Sequence, residues 1–553
     1  MNLKKLIALG LSISLLVGCG SSSNGGNGGS GTSVAVQAPT PLISMDTAVA
    51  TDGTSFIAQT MCISGLMSLD ENGNPVEDLA ESYEVSDDGL VYTFKIRDDA
   101  NWSNGEPVTA NDFVFGWQRV MEPETASDYN WIFETANIVN GDGYDPESGH
   151  TPQDLGVKAV DDKTLEVTLV APSGFFLSLL AFPSFFPQNE AFVTEKGDQY
   201  ALSVDDLLYC GPYKLTEWTS GYSFEFEQNE GYWDAANYAG KYADKVVFRE
   251  VVDTQTALME YESGNLDNVQ LSGEQVDANA EVEGFTERLS GYLFYLSINI
   301  NNNDHDRKGA ADMNNTNVRQ AMAYAIDRDA LVAVLNDGSV AAEGIVPLQL
   351  ASNPETGKDF REDSGAQATF DAAKAKEFYA KAVEELGHDV ELELLYGTDE
   401  GDSIIKAAEQ IQYFLEEAGF TVNLNGKPKK ERLSLSRNDH DYDVMLTRWG
   451  PDYGDPQTYM DLFVSTNVSN NPGGYNSSAY DGFVADAETG AGLTDAAARW
   501  QAFIDAEKVL VADDAAVIPV FQAGGAMIIS PNITGIEFHS AGVDSYRHIV
   551  VNK

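Results

Sequence analysis

One stretch limits the fold more than any other: LAESYEVSDDGLVYTFKIRDDANWSNGEPVTANDFVFGWQR, from Leu79 to Arg119. Leu90, Tyr92, Phe94 and Ile96 alternate with Val91, Thr93, Lys95 and Arg97, the period of a strand with one face turned inward. Asp88-Gly89 and Asn104-Gly105 stand on either side as turns. Thr109 followed by Asp112 resembles a capping box and opens a helix that carries Phe113, Trp117 and Val120. Strands and helices therefore mix at short intervals.

The second half repeats the pattern with longer helices. NVRQAMAYAIDRDALVAVL reads as a helix with Val318, Ala321, Met322, Ala325 and Ile326 on one face. FDAAKAKEFYAKAVEELG has Asp371 as N-cap and Gly387 as its stop. DSIIKAAEQIQYFLEEAGFTVNL is a helix ended by Gly419 that passes at once into an alternating strand. Helix followed by strand in this order gives α/β layers. Aromatic and methionine positions on these helices belong to the core, not to a cofactor box.

The N-terminus points to export. Lys4 and Lys5 precede an apolar run from Leu6 to Val17, the build of a secretory signal over residues 1–18. The run is shorter than the roughly 20 apolar residues of a membrane-spanning helix. It stops at Cys19 and gives way to a Gly/Ser/Asn tether up to residue 33. About 520 residues follow, enough for several ordinary domains or one large multi-lobed one. The most apolar later segment, GFFLSLLAFPSFFP, is broken by prolines and aromatics and spans nothing. Against 33 basic side chains stand 87 acidic ones, a formal charge of −54, which repels nucleic acid and anionic lipid alike. Apart from Cys19 the cysteines are Cys62 and Cys210, no disulfide framework, and they read as two buried thiols.

The order of local patterns then resembles one family. The Leu79–Arg119 stretch, CGPYKLTEW at Cys210 to Trp218, TALMEYESGNLD at Thr256 to Asp267, VRQAMAYAIDR at Val318 to Arg328, WGPDYGDPQTYMDLF at Trp449 to Phe463 and AEKVLVADDAAVIPVF at Ala506 to Phe521 occur in sequence. Together they are similar to the extracytoplasmic solute-binding proteins of oligopeptide and dipeptide ABC transporters. The resemblance covers essentially everything after the tether. It implies an α/β fold of two hinged lobes, periplasmic-binding-protein-like, with an additional middle domain on the first. The expected division is 34–77, 205–295 and 520–553 for lobe I, 78–204 for the middle domain, and 296–519 for lobe II. Ligand caught between hinged lobes shifts them from open to closed. Leu16-Val17-Gly18-Cys19 resembles a bacterial lipobox, which implies that Cys19 becomes an acylated N-terminus on the outer face of the cell membrane. Several acyl chains hold a protein there at about 0.8 kcal/mol per buried CH₂.

The same resemblance supplies the expected site. An aspartate three residues after the tryptophan of RWGPDYGDP faces the ligand's α-ammonium in peptide-binding relatives, and Asp452 holds that place, with Trp449 and Tyr453 beside it. A buried ammonium needs a formal negative partner, and a charge-assisted hydrogen bond supplies charge and direction. The alternative is that Asp452 only caps a turn in a turn-rich string. The opposite wall is expected in CISGLMSLDENG, where Cys62, Ile63, Ser64, Gly65 and Leu66 would offer backbone groups to an extended peptide as an added strand. A glutamate commonly precedes the family's Gly-Leu, and Ser64 replaces it here.

Other motifs carry less. Asp70, Asn72, Asn74, Asp78 and Glu81 stand at EF-hand offsets, but Pro75 occupies the position where a calcium loop requires glycine, and an Asn-Gly hairpin turn is the better reading. The six histidines, at 150, 305, 388, 440, 539 and 548, have no zinc spacing. Neither a GxSxG elbow nor a P-loop occurs, so no residues stand ready to carry catalysis, and no cofactor is expected. The expectation is a monomeric, lipid-anchored peptide-binding protein serving a permease. The alternatives are the same fold with a non-peptide solute such as a sugar, metal chelate or haem, and, in another class, a secreted hydrolase or an adhesin.

Overall fold

The computed structural model describes residues 32–142, 149–300, 311–467, 470–490, 492 and 495–552. The signal segment, Cys19 and the tether up to residue 31 lie outside these, as do residues 301–310 and with them His305. The body is held from Thr32 onward: its backbone N–H donates to the Asp244 carboxylate over 2.6 Å.

Strand β1 (Ser33–Ala38) leads into the helix Gly53–Cys62 and a short hairpin, β2 (Met67–Leu69) and β3 (Pro75–Glu77). β4 (Ala80–Val85) and β5 (Val91–Ile96) come next, then the helix Ala110–Met121, β6 (Val157–Asp161) and β7 (Thr164–Thr168). These four strands make an antiparallel sheet in the order β4-β5-β7-β6. Phe94 and Ile96 of β5 are fully buried, as the alternation requires, and the Thr109/Asp112 capping box is present. β8 (Tyr213–Thr219), β9 (Ser223–Gln228) and β10 (Lys245–Glu250) return to β1, giving the order β1-β10-β9-β8, with β1 and β10 parallel.

β11 (Asn268–Leu271) and β12 (Phe285–Ile298) lead into the second half. There β13 (Val340–Ala341), β14 (Glu391–Gly397), β15 (Thr421–Lys427), β16 (Val444–Trp449) and β17 (Val517–Ile529) complete a seven-stranded sheet. Its order is β11-β17-β12-β16-β14-β15, with β13 on β17. β12 and β17 are long antiparallel partners that pair from Phe285 and Ile528 at one end to Ser297 and Val517 at the other. The chain passes from the first half to the second along one and back along the other.

Two large cores result. The first gathers Val34 to Phe248 with Ile533, Tyr546 and Ile549 of the C-terminal segment; the second runs from Leu293 to Phe521. Asp371 caps the helix Ala372–Leu386 and Gly387 ends it in the left-handed region, which glycine adopts without steric cost. One expectation is corrected. The run read as a single helix from 317 to 335 is two, Thr316–Ala325 and Arg328–Leu335, because Asp327 accepts the N–H of Ala330 and starts a new helix inside the periodic stretch. All five positions placed on one face there are buried all the same.

Candidate functional site

The GPD segment after β16 sets the second-lobe wall. β12 pairs with β16 up to its last residue, Leu293 opposite Trp449. Close approach is what the flanking glycines allow: a Cβ on Gly450 would lie 2.2 Å from the Tyr292 ring, and one on Gly291 would run into Ser540 O and Pro451. Asp452 is thereby held half-buried, and among the described residues its carboxylate has neither a salt bridge nor a side-chain hydrogen bond. Burial alone pushes its pKa up to about 7. Asp455, three residues on, is different: Arg499 donates to both its oxygens over 2.7 and 2.9 Å, and it is Asp455 that caps the turn at Gln457 N. The turn-capping alternative for Asp452 thus falls to its neighbour.

Asp452 lines a cavity of about 580 Å³, counted with its open mouth. Facing it are Gly65 and Met67 to Leu69 of β2, Phe182 and Phe186 from the apolar segment before residue 187, and His539 from the C-terminal segment. Tyr453 turns the other way, 4% exposed, and stacks on Phe175 with ring centroids 3.9 Å apart. This stack brings the second lobe against the first core beside the cavity.

The first-lobe wall is built from the backbone. β2 pairs with β3 alone, and the hydrogen bond from Asp70 N–H to Asn74 O sets the phase of that ladder. The main-chain groups of Met67 and Leu69 therefore point away from β3, an open strand edge. The carbonyls just before it are already engaged: Cys62 O accepts from Cys210 and Gly211 N–H, Gly65 O from Leu79 N–H, and Leu66 O from Asp78 and Ala80 N–H. Cys62, Ser64 and Leu66 are fully buried, so their side chains lie beneath the wall, while Gly65 lines the cavity. Cys62 and Cys210 are free thiols, and burial raises both well above the usual thiol range. Ser64 Oγ accepts from Arg547 over 2.9 Å, and the same guanidinium donates to Thr60 O, Ile63 O and Asp78. Arg547 thus ties the C-terminal segment to the floor of the cavity.

The histidines around the cavity have their ring nitrogens engaged. His539 Nδ1 and Nε2 lie 2.7 Å from Val543 O and 2.9 Å from Asp70 O, and His548 meets Glu537 and Tyr238. Among the described residues lining this cavity, Asp452 is the formal charge left without a partner. A second cavity, of about 390 Å³, lies along β16 on the second lobe, lined by Tyr295, Ser436, Arg437, Thr447, Arg448 and Trp449. Trp449 belongs there rather than with Asp452. Arg437 and Arg448 make no salt bridge or hydrogen bond among the described residues; Arg448 rests 5.3 Å from the Tyr292 ring centroid.

The profile of the bacterial extracellular solute-binding proteins, family 5 Middle, matches residues 74–471. The chain belongs to this family. It is 33% identical over 521 residues to the dipeptide-binding protein of Lactococcus lactis subsp. cremoris, covering 91% of this chain and 92% of that one. It is 28% identical over 526 residues to the oligopeptide-binding protein OppA of Bacillus subtilis, with coverage of 93% and 91%. Among solved structures, Listeria monocytogenes OppA bound to peptide superposes with a TM-score of 0.75 at 33% identity, over 95% of this chain and all of the other. The pheromone receptor PrgZ gives 0.76 at 31%, again over 95% of this chain and all of that one. The fold is the two-lobed binding-protein fold with its added domain.

In this family member several wall residues escaped the sequence reading. Phe182 and Phe186 sit in the apolar segment 174–187, too broken by prolines and aromatics to span a membrane, whose aromatic richness is the one sequence signal for them. His539 and Arg547 come from the far end of the chain and had none. Gly65 is the tightest point of the wall, since an added Cβ would lie 2.7 Å from Leu180 O and 2.8 Å from the Phe186 ring. Gly65→Ala is expected to cost about 1–3 kcal/mol, read as a lower denaturant midpoint than wild type.

Proposed function

We propose that the protein captures peptides outside the cytoplasm and delivers them to the permease of an ABC transporter, with Asp452 taking the peptide's α-ammonium. The observation that carries this reading is a carboxylate held half-buried, with no partner among the described residues, opposite an open strand edge. An ammonium placed there restores the ionised form of Asp452 and supplies the charge it lacks. The edge at Met67 and Leu69 hydrogen-bonds the peptide backbone, which gives affinity without reading side chains. Trp449 forms an apolar wall for the next residues. Cys62, Ser64 and Leu66 act from beneath, by holding the edge in place, and Tyr453 acts at the seam where the lobes close on the ligand.

Arg437 and Arg448, whose donors have no partner among the described residues, take the peptide's anionic end. Replacing both by alanine is expected to weaken a free-acid peptide by about 1.5–3 kcal/mol while leaving its C-terminal amide little changed, as measured by calorimetry. The protein works as a monomer, anchored by lipid on Cys19 to the outer face of the membrane, and it binds without turning its ligand over.

The test is mass spectrometry of the small molecules released on denaturing the soluble body purified from cells. Peptides of mixed composition and a common length range are expected. A single non-peptide species would overturn the ligand.

A further inference from the structure

Glu488 is the last residue of the helix Ser478–Glu488, and its Oε1 is buried with no hydrogen-bond donor among the described residues. The group that meets its carboxyl is a second carboxyl. Asp461, nine residues beyond Asp452 in the segment that follows β16, lies in hydrogen-bonding contact with it. Other carboxylates with a buried oxygen are answered differently. Glu250 accepts the Leu42 N–H through its other oxygen, and Asp312 and Glu537 each face a histidine, His388 and His548 respectively.

Two carboxyl groups in contact and shielded from water do not both ionise: one keeps a proton and donates it to the other. The cation beside them does not change this. Arg499, on the helix Ala496–Glu507, donates to both oxygens of Asp455 and to Gln457 Oε1 over 3.0 Å, and reaches Asp461 and Glu488 only through space. Asp455 faces the pair as a like charge and favours the protonated form. Tyr453 and Tyr480, the phenols packed against it, are held far above their ordinary range by burial and stay neutral. Asp481, on the same helix as Glu488, is engaged by the N–H and hydroxyl of Ser465. Burial and the Asp461 carboxylate together push the Glu488 pKa up to about 10, and burial raises Asp461 as well.

The pair sits where the Asp452 segment is fastened to the second lobe. Gln457 donates from Nε2 to Asp461 over 3.2 Å, so Arg499, Gln457, Asp461 and Glu488 form one chain from the turn that Asp455 caps to the ends of two helices. We propose that Asp461 and Glu488 share a single proton at neutral pH, and that this proton is a latch holding the segment that carries Asp452 against the helix Ser478–Glu488, released in alkaline medium. The latch acts in the empty protein, whatever the ligand. In the unfolded chain both carboxyls are ionised at neutral pH, so unfolding sets the shared proton free. Its stabilisation is therefore complete below the ordinary glutamate value of 4.5 and is lost as pH rises towards about 10.

Asp452 titrates near pH 7, so the test takes Asp452→Asn as its background. Between pH 7 and 9 the unfolding equilibrium constant of that protein is expected to rise about tenfold more per pH unit than that of the double variant Asp452→Asn/Glu488→Gln. Glutamine donates to Asp461 without needing a proton, so it keeps the contact and removes the pH dependence. The infrared difference spectrum between the two folded proteins at pH 8 is expected to show a protonated carboxyl band that only the Glu488 form has. Asp461→Asn in place of Glu488→Gln is expected to have both effects, and serves if the glutamine variant does not fold. Parallel pH slopes with no such band would overturn the proposal. So would a missing band together with melting lowered by a chelator, which would put a metal ion rather than a proton between the two carboxylates.

Discussion

Asp452→Ala is expected to weaken peptide binding by about 2–4 kcal/mol, on the order of a hundredfold or more in Kd, while the empty protein melts no lower than wild type and, as pH approaches 7, higher. The asymmetry follows from the geometry. Among the described residues this carboxylate bonds to nothing, so its removal leaves no protein group unpaired; in the proposed complex it would be the ammonium's formal partner. The same group sets a pH dependence. Its pKa in the folded empty protein is about 7, against an ordinary value of 3.8. Between these values the folded state keeps a proton that the unfolded chain has released. This carboxylate therefore costs the empty protein nothing at low pH and an increasing amount as pH rises towards 7. Ammonium binding reverses the balance, because the bound form favours the ionised carboxylate and a proton must leave. Affinity is then expected to rise by up to tenfold per pH unit until pH is about 7. It falls again above about pH 8, where the peptide's own amine loses its charge. Calorimetry across pH 5 to 9 would show the maximum, and Asp452→Asn would remove its acidic limb.

Asp78→Ala is expected to be the most damaging single change to the first lobe, at about 3–5 kcal/mol of stability. Asp78 is 3% exposed and accepts from Arg547 over 2.9 Å, Tyr232 over 3.0 Å and Trp233 over 3.1 Å. Its loss leaves a buried guanidinium without its countercharge and two ring donors without an acceptor. Arg547 also holds Thr60, Ile63 and Ser64, so the floor beneath the open strand edge loosens together with the core. The denaturant midpoint and the peptide affinity should fall together. Replacing both Asp78 and Arg547 by apolar residues of similar size should recover much of the stability, since the pair's main contribution is mutual neutralisation. Recovery of stability without recovery of affinity would assign Arg547 to the positioning of the edge.

Local pattern carried far in this chain. The alternation in β5, the Thr109 capping box and the Asp371 and Gly387 helix ends could all be read directly, because each depends on residues a few positions apart. The break at Asp327 was hidden for the same kind of reason: the apolar period runs through it, and only the cap hydrogen bond to Ala330 shows that one helix ends and another begins. A motif marked Asp452, and the structure places it on the lining of a cavity. What made Asp452 different from Asp455 was not in the motif. Arg499, 44 residues further on, engages one carboxylate and leaves the other alone, and sequence does not say which. Likewise Ser64 looked like a gap in a charged wall, until Arg547, 483 residues away, proved to be its partner. The aromatic wall at 175–186 read as a failed membrane segment because hydropathy records apolar content and not the cavity it faces.

The most direct test is calorimetry of the wild-type protein at pH 7 with a short peptide and with the same peptide acetylated at its N-terminus. Acetylation removes the charge and leaves the backbone that pairs with β2. A loss of affinity on the order of a hundredfold is expected. Equal dissociation constants for the two forms would contradict the assignment of Asp452 as the ammonium's partner.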